Sequence, residues 1–232
     1  MISDNINSIR EKISRACARA GRSSSEVTLL AVGKTFPSSA VREAVEAGVA
    51  DVGENYVQEL LSKRRDLSGS DVRWHFIGHL QSNKVKNVAD WIHMIHAVDS
   101  TALAIEIDRR AAKSGRVIEC LLEVNTTGES TKFGVAPGDV TALVKSLASC
   151  DNISLGGLMT IGPFLPDPEG SRPMFRRLRE LKDEIGSLAQ GNVTMRHLSM
   201  GMTGDFEIAI DEGATLVRIG TAIFGPRARA DH

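Results

Sequence analysis

The sequence contains few cysteines, and those it has are widely separated. Cys17, Cys120 and Cys150 are the three cysteines in 232 residues, and none of them forms a CxxC pair. This pattern argues against a disulfide framework and against a structural zinc site. It is typical of proteins of the reducing cytoplasm, which is where we expect this protein to be found.

The sequence also lacks a strong net charge and a long apolar run. Its 28 basic and 29 acidic residues give a net charge of -1, so the charge balance does not indicate a nucleic-acid or membrane surface. The N-terminal segment 1–5 is polar and opens a helical pattern, with no apolar region of signal-peptide type, and no run is long enough to span a membrane. We therefore predict a soluble protein that acts on small molecules, and the balanced surface charge favours a monomer.

Short β-branched runs alternate with helical patterns along the whole chain. Most of these runs are almost continuously apolar, as is typical of strands that are covered on both faces. A leading helix is predicted over 4–20, where apolar residues recur at helical spacing. The strands are predicted at 27–33, 50–53, 72–77, 92–98, 117–124, 153–160, 194–199 and 215–219. The later helices are predicted at 38–47, 55–66, 81–90, 100–114, 138–149, 170–189 and 204–212.

Eight βα units predict an α/β fold of one domain over residues 1–232, a closed (β/α)8 or TIM barrel with an extra N-terminal helix. A doubly wound open sheet is the alternative, because the strands at 50–53 and 92–98 are weak. The stretches 126–138 and 162–173 are rich in glycine or proline and are interpreted as long βα-loops. In such barrels the active site lies at the carboxyl ends of the strands.

Lys34 follows directly after the apolar run of the first strand. Lysine is seldom fully buried unless it is paired, and an apolar site favours the loss of its proton. A deprotonated lysine is a nucleophile that forms Schiff bases with carbonyl compounds and with pyridoxal phosphate. The alternative is a lysine whose ammonium group extends from the strand end into water.

A phosphate site is predicted after the seventh and eighth strands, where barrels of this type commonly bind phosphate. Ser199, Gly201, Gly220 and Thr221 provide hydroxyl groups and glycine turns there, although ordinary turn chemistry is the simpler interpretation of each residue alone. A nucleophilic lysine combined with this phosphate site points to pyridoxal phosphate. Arg218 would keep the pyridine nitrogen of that cofactor unprotonated; the alternative is a structural ion pair with a carboxylate such as Glu54.

The histidines do not predict a metal site. His75 and His79 have an H-x3-H spacing, but it falls on a passage from strand to loop, so the two rings would not share one face. His93 and His96 are interpreted as core or rim residues. No metal ligand and no catalytic residue are assigned.

Five segments carry a resemblance to a known family. Their order and specificity resemble the YggS/PROSC family of pyridoxal phosphate homeostasis proteins, whose barrel is similar to the N-terminal domain of alanine racemase and to the fold-type III decarboxylases. The resemblance covers nearly the whole chain. Its segments are Leu30–Thr35, Gly53–Glu59, His75–Lys84, Leu198–Met202 and Val217–Gly225.

The resemblance implies that pyridoxal phosphate is held as a Schiff base on Lys34. It also implies phosphate contacts at Ser199, Gly201, Gly220 and Thr221, Arg218 beside the pyridine nitrogen, and Asn55 and Met200 in the pocket wall. Gly33 and Gly204 depart from the family pattern and are expected to shift the pocket slightly. The implied function is to buffer pyridoxal phosphate or to deliver it to apoenzymes, without enzymatic turnover.

A weak amino-acid racemase is the alternative function. Two-base racemisation needs proton-transfer groups on both faces of the cofactor, and the related racemases take the second one, a tyrosine, from an additional β domain. The only tyrosine of this sequence is Tyr56, and the sequence ends at residue 232, soon after the eighth strand. We therefore expect an open cofactor site without a second base. A third hypothesis, an interaction barrel without cofactor, would make Lys34 and the phosphate motifs coincidental.

Overall fold

The computed structural model describes residues 1–129, 132–163, 165–187 and 191–226. Eight strands close into a barrel in chain order, and every neighbouring pair is parallel. The predicted barrel is therefore confirmed, and the open sheet is excluded. The last two residues of the helix predicted at 170–189 and the last six residues of the predicted domain lie outside the described residues.

The strands lie close to their predicted positions because each is a buried run bounded by turn residues. They are β1 (Thr28–Val32), β2 (Asp51–Glu54), β3 (Arg73–Phe76), β4 (Met94–Val98), β5 (Ile118–Glu123), β6 (Ile153–Met159), β7 (Val193–Ser199) and β8 (Leu216–Ile219). The α-helices are α1 (Ile2–Arg19), α2 (Ser38–Glu46), α3 (Val57–Asp66), α4 (Thr101–Lys113), α5 (Val140–Ser146), α6 (Arg172–Gly186), α7 (Phe206–Asp211) and α8 (Thr221–Phe224). Short 3₁₀ helices occur at Ser24–Glu26, Ser82–Asn87, Pro137–Asp139, Leu147–Ser149 and Pro168–Ser171.

The α-helix predicted over 81–90 is wrong. The segment contains a 3₁₀ helix at Ser82–Asn87 instead, since serine, asparagine and valine are weak helix formers. In an α-helix the carbonyl of Asn87 would accept from the backbone N–H of Trp91. Here it accepts a hydrogen bond of 3.0 Å from the indole Nε1–H of Trp91.

The leading helix α1 packs against α2, α7 and α8. Its apolar face, which includes Ile6, Ile9 and Ile13, is buried in the main core. Because α8 has only 4 residues, α1 covers the side of the barrel that a full-length eighth helix would otherwise cover. Among the described residues, no helix is both long enough and apolar enough to cross a membrane.

Candidate functional site

A cavity of about 550 Å³ opens at the carboxyl ends of the strands. This volume lies in the range that small-molecule and cofactor sites occupy. Much of its apolar wall comes from Ile161, Pro163, Leu165 and Pro166, in the loop between β6 and α6. The other lining residues are Val32, Lys34, Phe36, Asn55, Ile77, Pro168, Ser171, Met202, Thr203, Gly204, Asp205, Arg218, Gly220 and Thr221.

Lys34 lies in a tight turn between β1 and α2. The backbone N–H of Phe36 donates to the Gly33 carbonyl over 3.0 Å, and Thr35 has a φ of 68°, which is uncommon for a residue other than glycine. The Lys34 side chain is half-buried and lines the cavity. The turn thus directs a lysine from the end of a buried strand into the cavity.

A buried ion-pair network holds this turn in place. The ammonium of Lys63, on α3, donates to the Gly33 carbonyl (2.7 Å), to Glu54 Oε1 (2.8 Å) and to Glu59 Oε2 (3.0 Å). Glu59 Oε2 also accepts from the backbone N–H of Thr35 over 2.8 Å. Gly33 and Thr35, the two residues that flank Lys34, are therefore both fixed to α3 through charged hydrogen bonds, which are stronger than neutral ones.

Gly33 lies at a position that is too crowded for a side chain. A Cβ atom at this position would lie 2.6 Å from Glu54 Oε1 and 2.9 Å from a methyl group of Val41. The glycine leaves room for the carboxylate of Glu54, which is fully buried. Burial raises the pKa of Glu54 to about 7 even though Lys63 holds one of its oxygens.

Arg218 reaches the cavity from β8 with most of its side chain buried. One guanidinium nitrogen donates to Ser199 Oγ and another donates to the Thr160 carbonyl, both over 2.7 Å. Burial lowers the pKa of Arg218 to about 10, so the group stays charged at neutral pH. The alternative ion pair with Glu54 is wrong, since that carboxylate is bound by Lys63.

The loop after β7 and the turn after β8 form the hydroxyl-rich side of the cavity. The hydroxyl of Thr221 donates to that of Thr203 over 3.2 Å, and Thr203 Oγ1 also accepts from the backbone N–H of Ala222. Gly204 has no atom within 4 Å of the position a Cβ would take. This side therefore combines small residues and hydroxyl groups with open space.

Five of the eight predicted site residues line the cavity: Lys34, Asn55, Arg218, Gly220 and Thr221. Ser199, Met200 and Gly201 are buried behind the lining. The Ser199 hydroxyl is already engaged by Arg218 and His96. Gly201 has a φ of 90°, and a Cβ there would lie 2.5 Å from Ala209, so its role in the structure is the close packing of the loop on α7.

Asn55, a residue of the cavity lining, has an unsatisfied acceptor. Its Oδ1 atom is buried and has no hydrogen-bond partner. Burying such an atom without a partner costs about 1–3 kcal/mol. A ligand that donates a hydrogen bond to Asn55 would remove this cost.

His75 and His79 lie apart, as was predicted from their position on a passage from strand to loop. His75 is buried and hydrogen-bonded to Asp51 and His96. In contrast, Nδ1 of His79 lies 3.3 Å from Oδ2 of Asp99, and the His79 ring stacks on Phe133. They share no ligand face.

Several residues of the site were missed by sequence reasoning. Lys63 and Glu59 stand on a polar helix face, where an ion pair that spans four residues is ordinary. Asp205 was missed because nothing in its local sequence shows that its carboxylate accepts from Met202 N–H (2.7 Å) and Ser171 Oγ–H (3.1 Å) at the cavity. The only signal in the sequence that could have indicated Asp205 as a site residue is its position shortly after the end of β7.

Comparisons with known proteins agree with this architecture. The family model described as "Alanine racemase, N-terminal domain" matches residues 5–228. A protein of Aquifex aeolicus named "Pyridoxal phosphate homeostasis protein" is 47% identical over 224 residues, which cover 97% of each chain.

Solved structures are similar over nearly the whole chain. PipY of Synechococcus elongatus, whose structure has been solved with PLP bound, is 34% identical with a TM-score of 0.85, and the match covers 97% of this chain and 100% of PipY. Alanine racemase of Clostridium difficile is 14% identical with a TM-score of 0.77, and the match covers 99% of this chain and 57% of that enzyme. The second likeness shows a shared fold only.

Proposed function

This chain belongs to the family of pyridoxal phosphate homeostasis proteins, and we propose that it binds pyridoxal phosphate in the cavity at the carboxyl ends of its strands. The observation that carries the proposal is that a single cavity brings Lys34 together with Asn55, Arg218, Gly220 and Thr221. PipY, a relative that the match covers in full, has been solved with PLP bound.

The residues of the cavity fit this cofactor. Asn55 Oδ1 is a buried acceptor without a partner, the space beside Gly204 is open, and Thr203 and Thr221 provide hydroxyl groups at that side. Hydroxyl groups and glycine turns at the end of the last strands suit a phosphate group. When bound, pyridoxal phosphate supplies an aldehyde that condenses with an amine and a ring that withdraws electrons.

We propose that different residues of the site bind different parts of the cofactor. The Lys34 amine is proposed to form a Schiff base with the aldehyde, and the turn held by Lys63 and Glu59 orients it. Arg218 is proposed to lie beside the pyridine nitrogen, where a charged guanidinium donates a hydrogen bond and keeps that nitrogen unprotonated. Gly220 and Thr221 are proposed to contact the phosphate, while Ser199, Met200 and Gly201 support them from behind.

A role in storage or delivery of the cofactor is favoured over racemisation. Among the described residues that line the cavity, the titratable side chains are Lys34, Asp205 and Arg218. Asp205 is held by Met202 and Ser171, and Tyr56 is exposed and is not in the lining. A second base that could exchange a proton opposite Lys34 is therefore missing from this lining. We propose that the protein buffers pyridoxal phosphate or passes it to apoenzymes.

The test is reduction of the protein with borohydride in the presence of pyridoxal phosphate, followed by peptide mass analysis. We expect a pyridoxyl adduct on Lys34 alone. Lys34→Ala should remove both the adduct and the visible absorption band of the imine while the protein stays folded, because the amine supplies a bond and no core packing.

Lys84→Ala is the matched control, since Lys84 lies near the mouth of the barrel, in the 3₁₀ helix after β3. It should retain both the adduct and the band. Labelling spread over many lysines, or no labelling, would contradict the proposal. Formation of D-alanine from L-alanine at a rate that Lys34→Ala abolishes would favour the racemase instead.

A further inference from the structure

A chain of five buried polar side chains crosses the interior of the barrel. Asp51 Oδ1 lies 2.9 Å from His75 Nε2, His75 Nδ1 lies 2.9 Å from His96 Nε2, and His96 Nδ1 lies 2.9 Å from Ser199 Oγ. Arg218 donates to Ser199 Oγ over 2.7 Å. All five side chains are buried. We call Asp51, His75, His96, Ser199 and Arg218 the interior chain.

The interior chain connects opposite ends of the barrel. Asp51 is the first residue of β2 and pairs there with Arg73, the first residue of β3. Ser199 is the last residue of β7 and Arg218 lines the cavity. Barrel interiors are mostly filled by apolar side chains, and buried polar groups require partners. Each side chain of the interior chain therefore depends on its neighbours for its hydrogen-bond partners.

The partners fix the direction of every hydrogen bond. A neutral imidazole has one N–H and one acceptor nitrogen, a carboxylate only accepts, and a guanidinium only donates. Starting from ionised Asp51, His75 must donate through Nε2, so its Nδ1 accepts from His96 Nε2–H. His96 Nδ1 then accepts from the Ser199 hydroxyl, whose oxygen accepts from Arg218. The Arg218 end is consistent with this direction, because Ser199 Oγ accepts from Arg218 and its own proton is left to donate to His96 Nδ1.

The charges along the interior chain agree with this assignment. Burial alone would raise the pKa of Asp51, but hydrogen bonds from Arg73 and His75 bring it down to about 2. Burial lowers the pKa of His75 and lowers that of His96 well below its usual range. Both rings are thus neutral between the anion at one end and the cation at the other.

We propose that the interior chain is a one-directional hydrogen-bond relay through which Asp51, at the far end of the barrel, orients Arg218 and sets how strongly it donates to a ligand in the cavity. Asp51 and His96 act through other residues and are positioning residues. Each donated bond polarises the next, because hydrogen bonds in series reinforce one another. The effect on the ligand rests on the proposed function, whereas the direction of the relay does not.

A cation site is the competing interpretation of the far end. One ligand atom from each of Asp51, His75 and His93 lies within 4.8 Å of the others. However, Arg73 donates to both oxygens of Asp51, through Nε and through Nη2, and a cation would have to displace this guanidinium. The hydrogen-bond relay uses the groups as they are paired.

The first experiment measures the position of the ring protons in the protein without added cofactor. Long-range ¹H–¹⁵N spectra distinguish the two neutral tautomers of each histidine. We expect His75 and His96 to carry their proton on Nε2 and to be neutral at pH 7, and added zinc to leave both signals unchanged. A proton on Nδ1 of either ring, a charged ring, or displacement of these signals by zinc would overturn the proposal.

The second experiment measures transmission to the cavity through the absorption maximum and the dissociation constant of bound pyridoxal phosphate. Asp51→Asn should shift the absorption maximum and weaken binding roughly fivefold, the factor expected for one impaired hydrogen bond. Glu106→Gln is the matched control: Glu106 on α4 is also a carboxylate bound by two basic side chains, Arg109 and Arg110, but lies outside the interior chain. It should leave both quantities unchanged.

A double-mutant cycle separates the relay from a general structural effect. Ser199→Ala interrupts the interior chain beside Arg218, so Asp51→Asn should add nothing further in the Ser199→Ala background. Additive effects, or an Asp51→Asn variant with unchanged absorption and affinity, would overturn the proposal. If Asp51→Asn does not fold, the proposal is tested by the ring tautomers and by Ser199→Ala. The Ser199→Ala variant should then shift the absorption maximum of bound pyridoxal phosphate, and an unchanged maximum would overturn the proposal. Failure of the wild-type protein to bind pyridoxal phosphate would sink the proposed function but leave the tautomer test standing.

Discussion

Buried carboxylates of this barrel differ in protonation according to their partners. Asp51 accepts from Arg73 and His75, and its pKa falls to about 2. Burial raises the pKa of Glu123 to about 7, with Asp99 adding to the rise and Arg218 opposing it. Desolvation disfavours the charged form of both groups, so the hydrogen bonds decide the difference.

Glu123→Gln should change how stability depends on pH. The carboxyl of Glu123 binds its proton more tightly in the folded than in the unfolded state, so its contribution to stability is present below about pH 4.5 and is lost as pH rises through about 7. Between pH 5 and 8 we expect the unfolding free energy of the wild-type protein to fall by about 2 kcal/mol relative to the variant. Urea unfolding at both pH values measures this difference.

Glu119→Gln provides the control of opposite sign. Hydrogen bonds from His197 and Arg196 lower the pKa of Glu119 to about 2 despite partial burial, so its contribution is lost only as pH falls below about 4.5. The variant should therefore show the same change between pH 5 and 8 as the wild-type protein. An equal change in Glu123→Gln would mean that Glu123 is ionised throughout.

The loop between β7 and α7 shows how one element sets the shape of the cavity. Gly201 packs against α7 with a positive φ, and its carbonyl accepts from the backbone N–H of Arg218 over 3.0 Å. Gly204, three residues further, faces open space. The two glycines of this loop therefore have different physical requirements.

Gly201→Ala and Gly204→Ala should separate these requirements. A Cβ at position 201 would lie 2.5 Å from Ala209 Cβ and 2.9 Å from Phe206 Cα, so we expect a loss of about 2 kcal/mol in unfolding free energy together with faster release of pyridoxal phosphate. Gly204→Ala should change the unfolding free energy by less than about 0.5 kcal/mol. Chemical unfolding and cofactor dialysis measure both; equal effects of the two substitutions would contradict this account.

At the scale of the molecule, α1 is bonded to helices from the beginning and the end of the described residues. Besides its apolar contacts, Asn5 Nδ2 donates to the Ile223 carbonyl (2.9 Å), and Arg10 donates to the carbonyls of Ala47 and Gly48 (3.1 and 2.8 Å). The first helix is thus bonded both to the last described helix and to the end of α2. We expect the chain to unfold as one cooperative domain.

Ile6→Ala should destabilise the whole barrel. Ile6 is fully buried, and removal of such a side chain costs about 3 kcal/mol. Far-ultraviolet circular dichroism and the fluorescence of Trp74 and Trp91, which lie in or near β3 and β4, should shift together to lower denaturant concentration. Ile105→Ala, at an exposed position of α4, is the matched control. It should shift both unfolding midpoints by only a small fraction of the shift that Ile6→Ala causes. Transitions that separate would contradict a single domain.

The barrel and the position of Lys34 at the end of the first strand could be predicted from local sequence, because both depend on neighbours in the chain. A buried parallel strand needs a continuous apolar run, and a helix needs an apolar stripe and terminal signals. Seven of the predicted helices and all eight strands therefore overlap the observed ones. The helix prediction at 81–90 failed because serine, asparagine and valine are weak helix formers, which periodicity does not reveal.

The sequence by itself determined the barrel and the cluster of reactive residues at one end of it. Tertiary structure alone decided which of them meet: Lys63 holds the Lys34 turn, Ser199 lies behind the cavity, and Asp51 is joined to Arg218 through two histidines. These contacts link residues that are far apart in the chain, such as His96 and Ser199. Their partners are chosen by strand register and barrel closure, and the residue types involved carry no local mark of the pairing.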